Sequence, residues 1–138
     1  SVGLCGQADF VEIVNGKINI TDDKTNKEIK EKSFVNWQGK SSKMFSPISH
    51  LDDCNLIHYT LQMSLYAYMI KKHNHNLKIG KLVVQHVTFE AVSQDEYGYP
   101  VTKYVNGDPV IKEVKMYNLP YMKEEVVSLM MWIKDQKV

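Results

Sequence analysis

The sequence predicts a small α/β domain, and three observations carry that prediction. Two runs that alternate apolar and polar residues flank Asn15-Gly16. Leu61, Leu65 and Met69 recur at helical spacing, and the stretch "IGKLVVQHVTFEAV" at 79–92 then reads as a buried strand. Strands alternate with period two, whereas a helical face returns every three or four residues, so the two patterns are separable. Strand, helix and buried strand in this order make a crossover unit, with the helix joining two strands of one sheet.

Each element follows from local chemistry. Residues 2–14 and 17–25 are strand-like, and Asn15-Gly16 suits a type I′ turn because both central positions need positive φ. Residues 26–50 are polar and lysine-rich, contain Gly39 and Pro47, and read as a long loop with one short helical turn. Ser49, Asp52 or Asp53 is expected to cap a helix running to His73. After the buried strand, Gly98 with Pro100 and "NGDP" at 106–109 bracket short strands ending near Asn118. The last element, 120–136, is an amphipathic helix with Met122, Val126, Val127, Met130 and Ile133 on its core side. There is no internal repeat and no linker, so residues 1–138 read as one domain.

Composition narrows the function classes. A chain of 138 residues can bury roughly two-thirds of its unfolded surface. Its 43% hydrophobic content is that of an ordinary globular protein. No apolar run approaches the ~20 residues of a membrane span and nothing resembles a signal peptide, so a cytoplasmic protein without membrane contact is expected. Two cysteines, Cys5 and Cys54, exclude a disulfide framework or a four-cysteine metal site and suggest a reducing compartment. The net charge of +1 is unremarkable, but Lys24, Lys27, Lys30, Lys32, Lys40 and Lys43 face only Glu28 and Glu31 in their stretch. A solvated loop and a phosphate-facing loop both fit that run. The chain has no arginine, so phosphate contacts must come from lysines, polar side chains or backbone N–H groups. Lys27, Lys30, Lys40 and Lys43 are the candidate nucleic-acid contacts. The chain begins with Ser, which suggests a piece trimmed from something longer.

The hairpin register places charges in an unusual way. A two-residue turn at 15 and 16 sets Ile13 opposite Ile18, Val11 opposite Ile20, and Asp9 opposite Asp22. Because one face recurs every second residue, Asp9, Asp22 and Lys24 extend the face of Val11, Ile13, Ile18 and Ile20. Like charges directly opposite are destabilising. Either this is a solvated surface hairpin with Lys24 bridging the two acids, or a divalent cation sits between them. Mg²⁺ takes one or two carboxylates plus waters and phosphates. The register favours the cation, since a surface hairpin does not require the coincidence. Lys24 could then reach a scissile phosphate or an attacking water, as metal-assisted phosphodiester hydrolysis needs. Asp23 faces the other way, leaving only its backbone carbonyl as a possible ligand. On the helix, His58, Gln62 and Tyr66 form one stripe at i, i+4 and i+8. An exposed helix former and a rim residue would produce the same pattern.

Taken together and in order, "GQAD", "DDKT" and "QMSLY" resemble the PD-(D/E)XK nuclease superfamily, and are most similar to its RecB-like branch with motifs GxxD, DxK and QxxxY. The resemblance spans residues 3 to about 90. It implies a restriction-endonuclease-like core, a central mixed β-sheet flanked by helices. It implies that Asp9 and Asp22 hold Mg²⁺ or Mn²⁺ and that Lys24 orients the water or stabilises the transition state. Gln62 and Tyr66 would lie beside that centre and position the substrate backbone or Lys24. Members cut DNA, often from ends and often attached to helicase or recombination machinery. The expectation is therefore a metal-dependent deoxyribonuclease of phage or bacterial replication, recombination or repair, partnered by DNA and by a helicase, recombination or replication protein.

Some features depart from the family. A helix before the first strand often supplies a Glu or His, and here it is expected to be missing, through excision, supply by a partner, or degeneration of the site. Position 23 is commonly aromatic or apolar and here is Asp. Without four cysteines no iron–sulfur cluster is expected. The alternatives are an inert nucleic-acid-binding module that keeps the fold, and a structural or assembly subunit in which the acids are a surface pair. Elsewhere, "SHLDDC" (49–54) reads as helix capping, "KKHNHN" (71–76) as a polar helix end and His86 as a core or edge histidine. Tyr97, Tyr99 and Tyr104 suit either base stacking or rim packing.

Overall fold

Asn15 and Gly16 both adopt positive φ, 52° and 74°, and reverse the chain from β1 (Phe10–Val14) into β2 (Lys17–Lys24). The computed structural model describes Gly6 and residues 8–136. The part of the expected first strand before Phe10 is not strand where described, and residues 1–5, with Cys5, and Gln7 lie outside the described residues. The register matches the one read from the turn: Val11 pairs with Ile20 and Ile13 with Ile18.

From β2 a long connection leads to α1 (Asn55–His73), which crosses to β3 (Lys78–Phe89). β3 lies parallel to β2, with Asp22 beside Val84 and Lys24 beside His86. β8 (Ile111–Leu119) returns antiparallel to β3, completing a mixed sheet in the order β1-β2-β3-β8. Between β3 and β8 an excursion forms two small hairpins. The first joins β4 (Ala91–Gln94) to β5 (Pro100–Thr102), and the second joins β6 (Tyr104–Val105) to β7 (Asp108–Pro109). The chain ends in α2 (Lys123–Gln136). No helix among the described residues is long and apolar enough to cross a membrane.

The core lies between the sheet and α1. Ile18 and Ile20 are completely buried with Leu82, Val84 and Leu119, against Met63, Tyr66 and Ala67 of α1. Each buried Ile, Leu, Val or Met side chain here contributes about 1.5–3 kcal/mol of burial. Gly80 belongs to this arrangement. A Cβ there would collide with the Asn19 side chain, whose Oδ1 accepts the Lys81 N–H at 2.8 Å across the local register shift.

Several expectations need correcting. Val11 and Ile13 share the face of Ile18 and Ile20, yet they remain exposed, Ile13 by 56%, because α1 packs over β2 and β3. On the face of the sheet away from α1, Phe10, Val14, Val114 and Met116 stand exposed while Val83 is buried. The buried face of α1 keeps Leu61 and extends to Thr60, Met63, Ser64, Tyr66 and Ala67, while Leu65 and Met69 are only partly buried. Two hydroxyls can be buried there because both are bonded: Thr60 donates to the Leu56 carbonyl, and Ser64 accepts the Met122 N–H. None of Ser49, Asp52 and Asp53 caps α1. Its N-cap is Cys54, without a side-chain bond, and the Lys30 carbonyl accepts the Leu56 N–H instead. The loop 26–50 forms no helical turn. It is pinned by buried Ile29, Ser33 and Ile48.

Candidate metal centre

The hairpin register carries through to the charged groups. Asp9 lies one residue before β1, and its Oδ2 accepts the Asp23 N–H at 3.0 Å. Asp22, on the inward face of β2, is only 5% exposed. Lys24, two residues further on the same face, places Nζ 2.8 Å from Asp22 Oδ2. Asp23 points to solvent, so the acidic residue at that position meets no packed layer.

The electrostatics follow from this crowding. Burial pushes the Asp22 carboxyl above its usual range, opposed by the bond from Lys24 and reinforced by Asp9. Hydrogen bonding to the Asp22 carboxyl, and then to the Asp23 N–H, holds Asp9 below its usual range. Burial alone would lower Lys24, but its bond and attraction to Asp22 outweigh this and raise it. Two carboxylates therefore share one small site in unequal states, the arrangement a cation would relieve. Their hard oxygen donors suit Mg²⁺ or Mn²⁺. Among the described residues no third Asp, Glu, His or Cys completes a metal cluster with them.

Lys24 has a second contact that the sequence reading missed. Its ammonium lies 4.7 Å from the centre of the Tyr59 ring, a cation–π distance. The Tyr59 hydroxyl accepts a bond from Asn26 Nδ2 at 2.7 Å. The Asn26 carbonyl in turn accepts a bond from His86 Nε2 at 2.6 Å, which makes His86 a bonded, buried strand histidine. Tyr59 stands three residues before Gln62 and seven before Tyr66, so the helical stripe itself was the available signal.

Gln62 and Tyr66 do meet: Gln62 Nε2 donates to the Tyr66 hydroxyl at 2.9 Å. Tyr66 is buried, and Gly6 lies against its ring. A Cβ on residue 6 would collide with Cε1 and come within 3.2 Å of Cζ and the hydroxyl oxygen. The glycine that opens "GQAD" thus touches the tyrosine that closes "QMSLY". His58 leaves the stripe to pair with Asp53 at 2.7 Å on the surface.

The lysines separate. Lys27 lines an open cleft of about 750 Å³ that starts at Thr25 and Asn26, just past Lys24, and is walled by His86, Thr88, Lys112, Lys115 and Tyr117. Glu28, Glu31, Glu90 and Glu113 also line it, so the cleft is not a basic channel. It contains neither Asp9 nor Asp22 among its lining residues. Lys30, Lys40 and Lys43 lie outside it, and Lys43 pairs with Asp52. Tyr97, Tyr99 and Tyr104 are all exposed, which removes rim packing as their role. No protein family, curated protein or solved structure was found to match this chain.

Proposed function

We propose that this chain is a metal-dependent nuclease domain of the PD-(D/E)XK type, hydrolysing DNA phosphodiester bonds. The observation that carries this reading is the convergence of Asp9, Asp22 and Lys24 at the end of the β1–β2 hairpin. The Gly6–Tyr66 contact supports it, because it joins the first and third motifs beside the second. Asp9 and Asp22 would hold Mg²⁺ or Mn²⁺. When bound, such a cation lowers the pKa of water and offsets charge developing on phosphoryl oxygens.

The chain's own groups have distinct tasks in this mechanism. Asp9 enters the reaction already ionised. Asp22 would turn from Lys24 toward the cation, and Lys24, released from that pair, would direct a donor proton toward the attacking water or a phosphate oxygen. Tyr59 holds the ammonium over its ring, limiting where it can move. Gln62 and Tyr66 fix the segment carrying Asp9 through Gly6.

One observation favours a second reading. Lys24 already neutralises Asp22, as it would in an inert nucleic-acid-binding module or an assembly subunit that keeps the fold. The deciding experiment is cleavage of labelled linear and circular DNA, single- and double-stranded, with Mg²⁺, with Mn²⁺ and with EDTA, alongside Lys24→Ala. Metal-dependent cutting that Lys24→Ala removes is the expected result. A folded wild type that cuts nothing sinks the enzyme reading, and failure to bind Mn²⁺ through Asp9 and Asp22 sinks the metal site as well.

A further inference from the structure

Between Lys32 and Leu51 the chain contains Lys32, Lys40 and Lys43 and no acidic residue. It also carries the two most exposed aromatic side chains of the described residues, Trp37 and Phe45, each 92% exposed, together with Phe34 at 76%. Large aromatics left in water forgo the burial that usually holds them inside. Three of them interleaved with lysines form a surface that needs a partner.

The backbone beneath these side chains is fixed. Val35 and Ser41 form an antiparallel bridge, and the Ser42 N–H bonds the Phe34 carbonyl at 2.9 Å. Asn36 closes the tip, its Oδ1 accepting the N–H groups of Gln38 and Lys40, both at 2.9 Å. Gly39 supplies the positive φ of 78° that the turn requires. At the base, Lys43 bridges to Asp52, and Ile48 is buried. The result is a knob with an ordered main chain whose aromatic rings are exposed.

We infer that this knob binds single-stranded nucleic acid, with Trp37 stacking on a base while Lys40 and Lys43 meet the adjoining phosphates. Three features select this occupant. Every base has a face on which an indole can stack, whereas bases paired inside a duplex offer none. The lysines complement phosphate, and the one acid paired with any of them among the described residues is Asp52, on Lys43. The contrast within the molecule is equally direct: the tyrosines of the excursion, Tyr97, Tyr99 and Tyr104, share their segment with Asp95, Glu96 and Asp108, and that segment would repel a phosphate strand. The choice of ligand rests on the nuclease reading, but the test does not.

Trp37 and Trp132 are the only tryptophans, which supplies a direct probe. In a Trp132→Phe background, titration with a twelve-nucleotide oligo(dT) in EDTA should quench Trp37 emission and saturate. Trp37→Ala should weaken binding by about tenfold, the typical loss of one stacked base. Trp37→Phe should recover most of that loss, and a blunt duplex of equal length should quench far less. Because Trp37 lies on the surface, the variants should melt with the wild type. Full affinity in Trp37→Ala, or binding without quenching, would overturn the proposal and leave the knob as a surface for a protein partner. Equal quenching by the duplex would also overturn it. Cutting without quenching removes this inference alone, and quenching without cutting removes the nuclease reading alone.

Discussion

The end of the β1–β2 hairpin and the aromatic knob at 34–45 lie close in sequence and are built on opposite plans. At the hairpin end, Asp9, Asp22 and Lys24 are crowded together, and burial and their mutual bonds displace the titration of each. At the knob the backbone is bonded to itself and the side chains touch little. The first plan fixes charged atoms relative to one another, which suits a step that needs one geometry. The second fixes the main chain and leaves rings free to tilt, which suits successive bases of differing identity. Chemistry and grip should therefore fail separately, and substitutions can test that separation.

The largest effect is expected at the crowded end. Asp9→Ala, Asp22→Ala and Lys24→Ala should each reduce metal-dependent cleavage by at least about 10³-fold, the scale of losing a group that acts in the transition state. The same variants should still bind oligo(dT) in EDTA at least as tightly as about a third of wild-type affinity, measured by anisotropy. If cleavage survives in all three, the acids are only a surface pair. If oligo(dT) binding falls in parallel with cleavage, the two regions are one site and the comparison breaks.

How much of this was legible in the sequence depends on how far apart the participating residues lie in the chain. The pairing that brings Asp9 to Asp22 is set by a two-residue turn, so counting from Asn15-Gly16 recovered it. The inward placement of Asp22 and Lys24 followed from the same period of two. The exposure of Val11 and Ile13 did not, because a strand's pattern names a face without saying whether a helix reaches across to cover it. The helix start was misread for a related reason. Asp52 and Asp53 are good caps locally, but their carboxylates are drawn to Lys43 and His58, and the cap contact comes from distant Lys30. Tyr59 beneath Lys24 joins elements 35 residues apart, and only its place on the Gln62–Tyr66 stripe hinted at it. The knob was read as a lysine-rich loop because no periodicity marks a turn closed by the Asn36 side chain.

The next effect sharpens the crowded end. If the Tyr59 ring steers the Lys24 ammonium, Tyr59→Leu should lower kcat about tenfold with KM little changed, since a misdirected donor affects the transition state more than binding. Tyr59→Phe keeps the ring and should stay within about threefold of wild type, because losing the hydroxyl removes only the Asn26 bond. Equal losses in the Leu and Phe variants would mean that the hydroxyl, through Asn26 and His86, matters more than the ring.

A smaller effect concerns stability and should change sign with metal. Asp22 has a folded-state pKa above its unfolded value, so the folded chain holds its proton more tightly, and stability from this group falls as pH rises through the folded value. Asp22→Asn removes that penalty and should raise the metal-free melting temperature at pH 7. The gain should vanish as pH falls below the carboxylate range, where Asp22 is protonated in both states. Asp9, whose pKa is lowered, contributes in the opposite sense, losing stability as pH falls. Added Mn²⁺ should stabilise the wild type and not Asp22→Asn, reversing their order through linkage. If the two melting temperatures move together with Mn²⁺, no cation is bound through Asp22.

The smallest effects separate the lysines of the knob from those around it. Lys40 has no ion pair among the described residues, whereas Lys43 is held by Asp52. A surface pair is worth at most about 1 kcal/mol and weakens with salt, so Lys43 can turn from Asp52 to phosphate at low cost. Lys40→Ala should therefore weaken oligo(dT) binding about two- to threefold and reduce the slope of log K against log salt by about 0.7, one phosphate contact on a single strand. Lys43→Ala should do less, because part of its charge is spent on Asp52. Lys30→Ala, away from the knob, should leave both affinity and slope within error. Equal losses at Lys30, Lys40 and Lys43 would mean that the whole lysine-rich stretch acts as a diffuse cloud of charge, and the ordered knob would then have no part in binding beyond its tryptophan.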